Sequence, residues 1–80
     1  MTKVLTPLEE HIQSVFSHVL GIEQVDVNQS FFEQGGTSLK ALQAIHLLQK
    51  TPTTAIVDAN LFFATLSVTE LAQAIESSRE

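Results

Sequence analysis

Apolar residues recur at helical spacing in three stretches of this chain, and two of the three open on a capping box. Thr6-Pro7-Leu8-Glu9 sets a hydroxyl at the N-cap, proline at the first helical position and glutamate two residues further on. Leu8, Ile12, Val15, Phe16 and Val19 then fall on one stripe, and Gly21 is a natural stop, so a helix is predicted from about Pro7 to Leu20. A second is predicted from about Ser38 to Lys50. It is broken by Thr51-Pro52-Thr53-Thr54, because proline disfavours α geometry in the residue before it. A third begins at Ser67-Val68-Thr69-Glu70, places Val68, Leu71, Ala72 and Ile75 on one stripe, and frays after Ser77.

Between the first two helices runs GIEQVDVNQSFFEQGGT, from Gly21 to Thr37, with no sustained period. Loops this long inside compact domains are functional or disordered as a rule. Ile22, Val25, Phe31 and Phe32 are apolar enough to pin this one to a core. Ala55-Ile56-Val57 reads as an extended loop packed on the core, and Asp58 to Phe63 as one short turn of helix. The pattern predicts an all-α fold: a small helical bundle of three main helices plus one short helix, with a long loop between the first and second helices. The expected organisation is a single domain over 1–80 with its ordered core at about 5–76.

At ~100° per residue, Ala41, Leu42, Ala44, Ile45 and Leu48 share one broad face of the second helix and are expected in the core. Leu39, Gln43, His46 and Lys50 fall on the opposite stripe, with Lys40 and Leu47 beside it. Leu39 and Leu47 are therefore expected to be exposed.

Size and charge narrow the function. Eighty residues make one small domain that buries only ~60% of its unfolded surface. The hydrophobic fraction of 44% supplies a core. No apolar run approaches the ~20 residues of a membrane span, and MTKVLTPLEE lacks a signal-peptide core, so a cytoplasmic protein (or a piece of one) is expected. The net charge of −5 opposes nucleic-acid binding, which needs clustered Lys and Arg. The chain has no cysteine, which removes disulfides and thiolate metal ligands, and no metal is expected.

The candidate chemistry lies in FFEQGGTSLKAL, Phe31 to Leu42. Two glycines free the backbone to turn, and a serine follows at the mouth of a helix. Backbone N–H groups and the helix dipole favour a negative charge there by ~0.3–1 kcal/mol. Two readings stay open on physics alone: an anionic group carried on Ser38, or plain capping of the helix by Thr37 or Ser38.

FFEQGGTSLKAL resembles the attachment motif of the peptidyl and acyl carrier domains of nonribosomal peptide and polyketide synthases. Two aromatics, a Gly-Gly pair and Ser-Leu stand in order. The likeness extends from about Leu5 to Ile75 and includes the late Phe-rich turn and the helix carrying Glu70-Leu71-Ala72-Gln73-Ala74-Ile75. The resemblance implies a non-catalytic domain in which Ser38 receives 4′-phosphopantetheine from coenzyme A, flanked by Gly36, Thr37 and Leu39. The arm's thiol then holds acyl, aminoacyl or peptidyl groups as thioesters. It also implies a partner-docking surface that includes Leu39, to which the exposed stripe adds Lys40, Gln43, His46 and Leu47. Implied partners are a phosphopantetheinyl transferase and the adenylation, condensation or ketosynthase, and thioesterase domains of a synthase, the isolated domain being a monomer. Two departures stand out: Thr37 replaces the Asp or His common before the serine, and Leu66-Ser67 replaces Pro-Thr at the final helix. The second helix carries Lys40 and Lys50 and no acid, unlike the acidic helix of fatty-acid acyl carriers.

Other chemistries fail on spacing. A nucleophile elbow needs glycine on both sides of the serine, yet Leu39 and Lys40 follow Ser38. His46 lies ~12 Å along the helix, too far to act as its base, and His11 and His18 could approach only through the fold. Asp26-Val27-Asn28-Gln29-Ser30 imitates a calcium loop, but that loop's glycine and final glutamate are replaced by Phe31 and Thr37; Asp26 and Ser30 are better read as turn formers. Gly-Gly-Thr-Ser-Leu-Lys has the wrong order for a nucleotide phosphate loop. The alternative that survives is a non-enzymatic helical protein-interaction module with Leu39 and the Phe31/Phe32 loop as its patch.

Overall fold

A computed structural model describes residues 4–78. Residues 1–3 and 79–80 lie outside the described residues.

Four α-helices follow one another: α1 Pro7–Leu20, α2 Ser38–Gln49, α3 Ala59–Thr65 and α4 Val68–Ser78, with 3-10 turns at Phe32–Gln34 and Pro52–Thr54. The all-α bundle with its long first connection is as expected. α1 packs on α2 and α4, and α3 packs on α4 and α2. The start of α1 is fixed by a reciprocal box. Glu9 N–H donates to Thr6 Oγ1 at 3.1 Å and Thr6 N–H to Glu9 Oε1 at 2.9 Å, which explains why Glu9 is buried. Gly21 ends the helix in the left-handed region at φ 72°, its N–H donating to the Ser17 carbonyl at 2.9 Å. At α4 the Glu70 N–H donates to Ser67 Oγ at 3.2 Å.

The core is built around three buried rings. Phe16 stands edge-on to Phe31 at 5.0 Å between centroids, Phe31 edge-on to Phe62 at 5.3 Å, and Phe62 completes the triangle with Phe16 at 5.8 Å. Ile12, Ala41, Ala44, Leu48, Val57, Val68 and Leu71 close around them without exposure. One ring comes from α1, one from the long loop and one from α3, so the loop is part of the core.

Five expectations need correction. Leu42 is 55% exposed and not in the core: at 100° per residue it lies at the edge of the face that Ala41, Ala44, Ile45 and Leu48 fill. Leu47 is half-buried and packs against the core from the other edge. Phe32 does not pin the loop; it lies on the surface while Phe31 alone enters the core. Ala55-Ile56-Val57 is a turn, with Val57 N–H donating to the Thr54 carbonyl at 3.1 Å. Only Val57 is buried, and Ile56 faces solvent. The short turn expected at Asp58 extends as a helix to Thr65, because the Asp58 carboxylate caps it by accepting from Leu61 N–H at 2.9 Å.

Candidate functional site

The segment leading to α2 is held from several sides. Gln34 acts as a staple: its Oε1 accepts from Asp26 N–H at 2.8 Å, and its Nε2 donates to the carbonyls of Asp26 and Gln29 at 3.0 and 3.1 Å. Asp26 and Ser30 are turn formers, accepting from the N–H groups of Asn28 and Phe32. Gln13 on α1 donates to the Val25 carbonyl at 3.0 Å, and Thr69 on α4 donates to the Val27 carbonyl through its N–H at 3.0 Å. Phe31 N–H donates at 2.8 Å to the carbonyl of Leu66, itself at φ 60° in the α3–α4 turn. The loop is thereby tied to α1, to α4 and to the turn between α3 and α4.

The two glycines have different tasks. Gly35 sits at φ 101°, a conformation that side-chain-bearing residues rarely adopt. Gly36 needs no special dihedral, but a Cβ there would run into the Phe31 ring and stand 2.7 Å from the Phe31 carbonyl. One glycine turns the chain and the other lets it pass over Phe31.

Thr37 is the N-cap of α2, extended at φ −129° and ψ 169°, and its Oγ1 accepts from Lys40 N–H at 3.2 Å. Of the two hydroxyls that the sequence offered for capping, the structure uses that of Thr37. Ser38 is the first helical residue and is exposed. Its primary alcohol therefore stands at the mouth of α2, where the first-turn N–H groups lie outside the intrahelical ladder and the positive end of the dipole favours a phosphodiester. The position fits a covalently bound phosphopantetheine in room, charge and chemistry.

Leu39 is 67% exposed, and Leu42 stands one turn along on the same side of the entrance. Gln43 and His46 are exposed, Lys40 half so. Phe32 and Phe63 stack at 6.1 Å with 13° between their planes, both partly open to solvent. Leu42 and Phe63, like Phe32 and Ile56, are exposed apolar residues that sequence reasoning missed. Nothing in the sequence sets Phe63 apart from Phe62, since neighbours ~100° apart can share a buried face, as Ala44 and Ile45 do. Farther along α2, Gln43, His46 and Leu47 face His18 and Val19 of α1 across an open cleft of about 350 Å³. Among the described residues no group of three or more His, Asp or Glu is placed to hold a metal ion, and no helix is long and apolar enough to cross a membrane.

A helical bundle with an exposed alcohol at the mouth of a helix has the form a covalent carrier requires. The chain is a member of the phosphopantetheine attachment site family, whose model matches residues 10–75. It is similar to bacitracin synthase 1 of Bacillus licheniformis, with 46% identity over 44 residues, 55% of this chain and 1% of that protein. It is similar in fold to a nonribosomal PCP domain, with a TM-score of 0.74 and 27% identity over 91% of this chain and 92% of that one. A chain in the structure of the phosphopantetheine transferase Sfp in complex with coenzyme A and a peptidyl carrier protein has the same fold. Its TM-score is 0.82 at 21% identity, covering 96% of this chain and 99% of that chain. The domain is a non-catalytic carrier that holds intermediates on 4′-phosphopantetheine. It corresponds to about 1% of the length of bacitracin synthase 1.

Proposed function

We propose that Ser38 is the residue that bears the phosphopantetheine, and that the domain, spanning 1–80, serves as a peptidyl carrier in a cytoplasmic nonribosomal peptide synthetase. The observation that carries the assignment is the division of labour at the start of α2: Thr37 caps the helix, which leaves the exposed Ser38 hydroxyl uncommitted. In the modification, Ser38 Oγ forms a bond to the pantetheine-bearing phosphorus as the diphosphate P–O bond of coenzyme A breaks; adenosine 3′,5′-bisphosphate leaves, and the serine proton passes to a base of the transferase. Gly36 keeps the approach bare, and the first-turn N–H groups of α2 lie beside the resulting phosphodiester. When bound, the arm supplies the thiol that this cysteine-free chain lacks, and its reach raises the local concentration of the cargo at each partner.

Docking is assigned to the face around Ser38: Leu39, Lys40, Gln43 and His46, to which the exposed Leu42 is added. Leu47 contributes from the edge, since half of it is committed to the core. With lysine and no acid on α2, this face suits apolar recognition more than steering by a basic partner. The partners that fit are a phosphopantetheinyl transferase and the adenylation, condensation and thioesterase domains of a synthetase.

The test is intact mass after incubation with coenzyme A and a broad-specificity phosphopantetheinyl transferase. One added phosphopantetheine located on Ser38, and absent from Ser38→Ala, is the expected result. A folded chain that gains no mass, or gains it elsewhere, overturns the assignment.

A further inference from the structure

We infer that the cleft between α1 and α2 is a resting site for the pantetheine part of the protein's own arm, an inference that rests on Ser38 as the attachment residue. The cleft is lined by His18 and Val19 from α1 and by Gln43, His46 and Leu47 from α2. It lies on the path an arm takes from Ser38. Leu39, Gln43 and His46 form one exposed stripe beginning at the next residue, and the helical rise puts His46 ~12 Å from Ser38 along the axis. That distance is shorter than an extended phosphopantetheine.

The lining matches pantetheine in kind. Pantetheine carries two amides, a hydroxyl and a geminal dimethyl group, and no charge beyond its phosphate. The Gln43 carboxamide both donates and accepts, and the His18 and His46 imidazoles offer further ring nitrogens. The half-buried Val19 and Leu47 supply apolar contact with their other sides packed against the core. A purely aliphatic chain could use none of these three polar groups, so the amide-bearing segment is the better match to the lining. Because His18, Gln43 and His46 are all exposed, the arm can enter and leave without any part of the bundle opening. Tethering removes the need for high intrinsic affinity: a linked ligand meets its site at an effective concentration on the order of millimolar. Resting there, the arm would also cover part of the docking stripe until a partner displaces it.

The test compares the unmodified and the phosphopantetheine-bearing domain by 1H–15N NMR, after intact mass has established the modification. Shift changes are expected at Val19, Gln43, His46 and Leu47, as well as in the first turn of α2. Nuclear Overhauser contacts are expected between the geminal methyl protons of the arm and the methyl groups of Val19 and Leu47. In a modified Gln43→Ala/His46→Ala domain, those contacts and the shift changes at Val19 and Leu47 should be lost while the rest of the spectrum stays dispersed. Changes confined to the first turn of α2, with no contact between arm and cleft, would overturn the inference and leave the Ser38 assignment standing. A chain that takes up no phosphopantetheine overturns both. Contacts made only by an attached acyl group would overturn the assignment to pantetheine.

Discussion

The Phe31 ring occupies the space that a side chain at Gly36 would need. This contact explains why the approach to α2 carries two glycines, and it separates their effects. Gly36→Ala forces either the ring or the turn to move, at a cost of about 1–3 kcal/mol by overpacking. Gly35→Ala meets open space but a left-handed backbone, at a cost of about 1–2 kcal/mol. Asparagine tolerates that backbone better than alanine, so Gly35→Asn should recover part of the loss whereas Gly36→Asn recovers none. Urea denaturation of the four variants checks this; equal recovery at both positions would remove the distinction.

The cap and the proposed attachment residue are adjacent, and they should separate cleanly. Thr37→Ala should lower stability by about 1 kcal/mol through loss of the hydrogen bond to Lys40 N–H, yet still accept phosphopantetheine. Ser38→Ala should keep the stability within about 0.5 kcal/mol and lose the modification. Thermal melts paired with intact mass read both at once.

Of the two adjacent phenylalanines in α3, only Phe62 is sealed in the core. Phe62→Ala should cost about 3–5 kcal/mol, enough to unfold much of so small a domain. Phe63→Ala gives up its stack on Phe32 and its edge contact with Phe62, about 1–2 kcal/mol in all. Denaturation midpoints that fall in the reverse order would show the faces of α3 to be misassigned.

Thr54 is completely buried and donates through Oγ1 to the Leu48 carbonyl, closing the end of α2. Thr54→Val keeps the shape and removes this bond while the Leu48 carbonyl keeps the Thr51 N–H at 3.3 Å, so a loss of about 0.5–1.5 kcal/mol is expected. Thr54→Ser keeps the donor and should fall between wild type and Thr54→Val in the same melt.

Leu39 and Leu42 are exposed, so aspartate at either should leave the circular-dichroism spectrum unchanged while slowing transfer of phosphopantetheine. A loss of helicity would place them in the core. An unchanged transfer rate would remove them from the docking face.

Periodicity and caps made α1, α2 and α4 readable from the sequence almost to the residue, because Thr6, Pro7 and Gly21 report on local backbone chemistry. The attachment motif was equally plain. Less readable were the flanks of α2. Leu42 and Leu47 lie at the two edges of the buried face, and only the positions of α1 and α3 decide which edge is covered. Phe31 and Phe32 look alike in sequence, and their fates diverge because Phe31 alone meets Phe16 and Phe62. The cleft holding His18 and His46 joins residues from two helices, a relation that neither segment encodes by itself.

The bond from Phe31 N–H to the Leu66 carbonyl sets an order in time. As the chain leaves the ribosome, Ser38 emerges well before the turn that anchors the loop in front of it. Until Leu66 is free to adopt its left-handed conformation and Phe62 to close on Phe31, the serine stands on an unfinished platform. A transferase that reads the shape of this face would therefore ignore the nascent chain and act only on a domain whose last helices have arrived.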